Sequence, residues 1–377
     1  MIYNWDIKEL KKRRNYLLKE LLINPNVTVT DRKKIKSDLI LLNDMIREVE
    51  VDKSFTLFPI REKKFMDDDH LLSKRYYQAF SKISKKLLDL TDTVTNYFDL
   101  LDLDDNSENE ISYHFDIDEI IESTNSFYHS LPNQKYYQEI SKFLDIHNHL
   151  LFFKYQSLLN TDSGYTFNLF YPNRKSYILV YILNEISDLL TLDHELAHAY
   201  FHNYNSMESF NTPYYYLTEI EGMFFEYLKE EFLQKQHLYL QDIHTVRQTK
   251  IRMVLNIAKN VYIGKYIINY YNQNKKIDEA EITEMLFKNG IIADYDIDIV
   301  YDSLLTYPRD GIKECISYLT FLDLKNIAEK DVEKALYLLE EIRKDHNPNI
   351  FSTLRKNEIT FMDDDFKNLK KEYKSLQ

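Results

Sequence analysis

Residues 187–203 read SDLLTLDHELAHAYFHN. Ser187 is a suitable N-cap. Leu189, Leu190, Leu196 and Ala197 recur on one helical stripe, so the stretch predicts a helix that packs through that face. The same helix carries His194-Glu195-Leu196-Ala197-His198, an H-E-x-x-H pattern. Residues at i and i+4 project side by side, so the two imidazoles can grip one ion. Glu195, beside the first, stands where it can take a proton from an attacking water and pass it to a leaving amine. Nitrogen and carboxylate donors in an open tetrahedral site suit Zn2+, which has no redox chemistry of its own.

Upstream, the pattern changes at Gly164. Tyr165–Tyr171 and Ser176–Leu183 are rich in aromatic and β-branched residues, and Pro172-Asn173-Arg174-Lys175 between them has turn composition, so an antiparallel β-hairpin is expected. An exposed strand edge beside a metal site can hold an extended peptide by main-chain hydrogen bonds. Tyr177, Val180 and Tyr181 are the substrate-binding residues this suggests.

Downstream, Asn211-Thr212-Pro213 marks a loop, and a helix is expected over Tyr214–Gln236. It carries LTEIEGMFFE at 217–226. Glu219 and Glu226 are two turns apart on one face, while Glu221 points nearly opposite, so Glu219 is the expected third ligand. Glu226 is then placed to orient a ligating histidine, and Gly222 leaves room for close helix approach. His202 continues the stripe of His194 and His198. At about 1.5 Å rise per residue it lies roughly 12 Å from His194, too far to share an ion, and it is expected at the rim or surface.

The rest of the chain is helical by period. Its 377 residues include only 5 Gly and 7 Pro, which disfavours a turn-dense all-β fold. Residues 5–50 read as a helical hairpin, Leu71 to about Leu101 as a long helix, Asp102–Glu110 as an acidic loop, and Ile117–Leu131 and Tyr136–Leu159 as two more helices. A mainly α, elongated fold with one small sheet beside the metal-site helix follows. A chain of this length buries a core without needing a metal, so a metal site here would be functional. The net charge of -13 argues against nucleic-acid or anionic-membrane partners. The lone Cys315 excludes an internal disulfide framework, no apolar run spans a bilayer, and the cytoplasm is the simplest address. The clusters Asp67–Asp69, Asp102–Asp105 and Asp363–Asp365 lack EF-hand spacing and read as solvated loops.

Thr191 to Ala199, followed by Leu217-Thr218-Glu219-Ile220-Glu221 and Glu226, resembles the oligoendopeptidase F branch of the M3 (thimet oligopeptidase-like) zinc peptidases. The upstream hairpin from Gly164 to Val180 is similar to that family's as well, so the likeness covers roughly 164–227. It implies zinc held by His194, His198 and Glu219, Glu195 as general base, peptide substrates, and a helical body with a deep channel. It divides the chain into a shortened, lid-like N-terminal region, 1–115, and a catalytic region, 116–377. The family usually has Gly where Ala197 stands, and Ala-Ser or Pro-Ser where this chain has Glu221-Gly222. For the family's late oxyanion-stabilising Tyr, Tyr318 is the candidate, with Tyr307 and Tyr301 behind it; no histidine lies near. Two other expectations stand beside hydrolysis of short peptides: a zinc-bearing, catalytically weak protein that captures peptides or proteins, and a regulatory protease with one particular partner.

Overall fold

Leu10 and Leu17 lie two turns apart, and Ile35, Leu39, Leu42 and Ile46 follow the same rule, so helices α1 (Ile7–Ile23) and α2 (Val29–Glu50) each present an apolar stripe. Asp6 caps α1 by accepting from the main-chain N–H groups of Lys8 and Glu9. The computed structural model describes residues 6–24, 27–50, 115–145, 149–154, 163–183, 185–204, 216–251, 308–345, 347, 349–361 and 367–375. The expected helix from Leu71 to Leu101, the loops Asp102–Glu110 and Asn211-Thr212-Pro213, the three aspartate clusters, Tyr301 and Tyr307 lie outside the described residues.

The two stripes pack on a three-stranded sheet of β1 (Leu150–Lys154), β2 (Gly164–Leu169) and β3 (Lys175–Ile182), in the order β1-β3-β2. Leu151, Leu169, Tyr177 and Leu179 join Leu10, Leu17, Leu42 and Met45 in one core, with Tyr165, Phe167 and Tyr181 packed against it. Side chains alternate across a strand, so the odd-numbered residues of β3 face the hairpin and the even-numbered ones, Ile178 and Val180, face the other way. The antiparallel register sets Thr166 opposite Ile178 and Gly164 opposite Val180, so these belong to that second face. Against it lies α5 (Asp188–Phe201), the H-E-x-x-H helix.

Asp38 of α2 ties the hairpin layer to the sheet. Its carboxylate accepts from the main-chain N–H groups of Phe170 and Tyr171, while Arg13 donates to the carbonyls of Tyr171 and Asn173. Burial pushes the Asp38 carboxyl up to about 6, although both N–H groups favour its charged form.

The expectation of a helix through Leu159 is corrected at its end. Helices α3 (Ile117–Ser130) and α4 (Gln134–Asp145) form, but Leu150–Lys154 is a strand paired parallel to β3. The run Leu150-Leu151-Phe152-Phe153 is apolar without period, and its partner lies nearly thirty residues ahead. The sheet is therefore mixed, with β3 at its centre.

After α5, a 3-10 turn (His202–Tyr204) ends the segment, and α6 (Ile220–Lys235) packs along α5. Residues 240–251 are helical, followed later by α7 (Pro308–Ala328), α8 (Val332–Lys344), α9 (Ile350–Lys356) and α10 (Lys367–Ser375). The chain divides into two compact units, one of Met1–Thr56, Ile111–His244 and Phe321–Ile359, the other of Leu57–Glu110, Thr245–Thr320 and Thr360–Gln377. The α1–α2 hairpin, the sheet, α5, α6 and α8 all belong to the first. Among the described residues no helix is long and apolar enough to cross a membrane.

Candidate metal centre

One turn of α5 separates His194 from His198, and both rings point toward the start of α6. Their Nε2 atoms approach to 2.9 Å, and Glu219 Oε2 lies 3.3 Å from each. Among the described residues, these three form the one cluster of His, Cys, Asp or Glu donors able to hold an ion. A tetrahedral ion with metal–nitrogen distances near 2.05 Å requires its donors to stand about 3.3 Å apart, so this triangle fits zinc with little adjustment. All three side chains keep 16–18% exposure, so an ion held by them would keep a side open to solvent.

Tautomers are fixed from behind. Glu226 Oε1 lies 2.7 Å from His194 Nδ1; a carboxylate only accepts, so Nδ1 carries a proton and Nε2 is the nitrogen that faces His198 and Glu219. Seven residues, two turns of α6, separate Glu219 at the cap from Glu226 on the same face, as the sequence spacing anticipates. Between them stands Gly222, where a Cβ would meet the His194 ring at 2.4–2.6 Å, so only glycine lets α6 come this close.

Glu221 departs from expectation. On the wheel of α6 it faces away from Glu219, yet its Oε1 lies 3.3 Å from His198 Nδ1. The close approach at Gly222 brings both flanks of α6 within reach of α5, which an angle measured about one axis does not show. Glu221 is fully buried and pairs at 3.0 Å with Arg343 of α8, itself fully buried. Nothing in the local spacing singles out Arg343, which lies more than a hundred residues downstream.

Glu195 is held from the other side. Thr166 Oγ1 lies 2.7 Å from Glu195 Oε2 and 2.8 Å from the Glu195 carbonyl; its single proton serves one of them at a time. At Gly164 a Cβ would meet Thr191 Cγ2 at 2.7 Å and Glu195 Cγ at 2.9 Å, so β2 presses directly on Glu195. Burial raises the Glu195 pKa, with the two imidazoles working against it. For His194 and His198 burial disfavours the cation, but their carboxylate neighbours win and both pKa values rise, His198 to about 9.

Asp193 and Lys229 form a second buried pair at 3.2 Å, both without exposure, joined by Thr124, whose hydroxyl donates to Asp193 Oδ2. This pair bolts α6 to α5 beside His194.

The structure corrects two placements. Tyr177, Val180 and Tyr181 lie on β3, whose main chain is paired on one side to β1 and on the other to β2, so no strand edge is available there. Tyr177 and Tyr181 also face the α1–α2 hairpin, and Val180 is buried. The outer strand on the Glu195 side is β2. His202 is not at the surface: it is 2% exposed, stands edge-on to Phe170, and places Nε2 3.0 Å from the Leu169 carbonyl. Tyr318 is buried on α7 in the second unit.

No family model matches this chain, and no curated protein matches its sequence. Solved structures do match. A Bacillus anthracis str. Ames protein described as an oligoendopeptidase F superposes over 99% of this chain and 67% of its own, at 14% identity and a TM-score of 0.53. The chain has the fold of this protein. PZ peptidase A, solved with an inhibitor, aligns over 99% of this chain and 77% of its own, at 13% identity and a TM-score of 0.54. A further chain described as an oligoendopeptidase F aligns over 98% and 84%, at 12% identity and a TM-score of 0.51. The mainly helical fold is thus shared with proteins described as peptidases.

Proposed function

We propose that this protein hydrolyses peptides with one zinc ion held by His194 Nε2, His198 Nε2 and Glu219, and with Glu195 as general base. One juxtaposition carries the reading: three donors of a zinc-type set converge within ligand distance of one another, and the residue beside the first histidine is a carboxylate held by Thr166. The likeness in fold to proteins described as peptidases supports it.

When bound, zinc supplies a Lewis acid that polarises the scissile carbonyl and makes a water acidic enough to lose a proton near neutrality. Glu226 keeps His194 in the tautomer that donates from Nε2. Glu195 accepts the proton as the water oxygen adds to the carbonyl carbon, and delivers it to the amide nitrogen as the C–N bond breaks, so the carboxylate is regenerated. Strand β2 lies on the Glu195 side as the sheet's outer strand, and an extended peptide would add to the sheet there, with main-chain hydrogen bonds setting its register.

The test is Glu195→Gln on a panel of quenched-fluorescent peptides. Turnover falls by about 10²- to 10⁴-fold while the zinc content stays that of the wild type. Retained turnover would remove Glu195 from the mechanism. A wild type that carries zinc and binds peptides from the panel but cleaves none would mark a peptide-binding protein instead.

A further inference from the structure

Arg343 touches the metal centre's framework twice. Its Nη2 pairs with Glu221 Oε1 at 3.0 Å, the same oxygen that faces His198 Nδ1 at 3.3 Å. Its Nη1 donates to the Leu217 carbonyl at 3.3 Å, two residues before Glu219. Behind the second ligand there is thus a carboxylate, and behind that carboxylate a guanidinium that also grips the main chain leading to the third ligand. A guanidinium can do this because its planar fork points two N–H groups at two separate acceptors; a lysine ammonium has no such geometry.

Burial makes the arrangement consequential. Glu221 and Arg343 are both fully buried, and a charge so placed is tolerated only with an opposite charge in contact. Their attraction supplies that. The oxygen that faces the histidine is consequently held in place from its far side. At His194 Nδ1 the contact is made by Glu226 at 2.7 Å. On His198 the longer contact of Glu221 is backed by the cation.

We propose, on the basis of the zinc reading above, that Glu221 and Arg343 act as one positioning unit: they fix the His198 ring through Nδ1 and hold Glu219 through the Leu217 carbonyl, so that α8 is part of the metal centre. Neither residue touches the ion. Their effect is on how tightly and in what geometry it is held.

The experiment uses the full chain, zinc titrated in competition with a chromophoric chelator, and the visible spectrum of the cobalt(II)-substituted protein. Removing one charge alone strands the other in the interior, so the decisive variant is the double one, Glu221→Gln with Arg343→Met, which removes both at similar volume. It is expected to bind zinc about ten- to hundredfold more weakly than the wild type, with shifted cobalt bands, while its metal-free melting temperature stays close to wild type. Glu221→Gln alone keeps an oxygen between His198 and Arg343, and its loss of affinity should be smaller than that of the double variant. If the double variant does not fold, Arg343→Lys decides, since it keeps the charge and loses the fork: a lowered affinity at a wild-type metal-free melting temperature supports the unit, and an unchanged affinity overturns it. A folded double variant with wild-type zinc affinity and cobalt spectrum refutes the proposal. A wild type that takes up no zinc refutes the underlying zinc reading instead.

Discussion

The two faces of the small sheet are covered in opposite ways. On one, α1 and α2 lay down Leu10, Leu17, Leu42 and Met45, and the buried acid there, Asp38, is spent on the main-chain N–H groups of Phe170 and Tyr171. On the other, α5 and α6 bury Asp193, Glu195, Glu221 and Lys229 within two or three turns of one another. In the hairpin layer a charge completes the backbone's hydrogen bonds, whereas in the α5–α6 layer charges meet other side chains: Asp193 meets Lys229, Glu195 meets Thr166, and Glu221 meets Arg343 and His198. A cluster of buried charge costs stability, so its concentration around three converging donors marks where the fold is shaped by chemistry.

The largest separation of the two layers should come from Leu42→Ala. Deleting a fully buried leucine from the hairpin core should cost about 2–5 kcal/mol of stability, read by denaturant unfolding, and leave zinc stoichiometry untouched at temperatures where the protein remains folded. Loss of zinc from the folded variant would show that the layers are not separable. Gly222→Ala should act the other way round. Its Cβ must displace the His194 ring, so zinc affinity falls sharply while stability drops by only about 1–3 kcal/mol, that of an overpacked contact. Wild-type affinity in this variant would mean that α6 can shift without disturbing His194.

The smallest effect concerns His202, at the seam between α5 and the hairpin turn. Burial lowers its pKa to about 4; the Arg174 cation adds to this and the Leu169 carbonyl opposes it. The unfolded chain takes up the proton near 6.5, so between these values the unfolded state binds more protons than the folded one. The stability that the neutral ring contributes is thus complete above 6.5 and is lost as pH falls toward 4, by about 1 kcal/mol at pH 5.5. Thermal melts at pH 8 and pH 5.5 should therefore differ less for His202→Gln than for the wild type. An equal fall in both would assign the acid sensitivity to other groups.

Much of this was legible in the sequence where the physics is local. His194 and His198 one turn apart, Glu219 and Glu226 two turns apart, and Gly222 between them all express helical period, and their geometry follows from it. The hairpin's alternation was visible as well. What escaped depends on partners far along the chain. Strand β1 looked helical because only β3 makes it a strand. That same pairing closes the edge assigned to Tyr177, Val180 and Tyr181. Glu221 looked outward-facing because its destination is on another helix, and Arg343 had no local signature at all. The spacing of His202 from His194 says nothing of the Leu169 carbonyl that its ring meets.

The most direct measurement is metal content by elemental mass spectrometry on purified wild type and on Glu219→Ala. One zinc per chain is expected in the wild type, and loss of that zinc in the variant, with the variant still folded. A wild type that takes up no zinc when the metal is supplied, or a Glu219→Ala protein that holds it as tightly as the wild type, would contradict the metal centre described here.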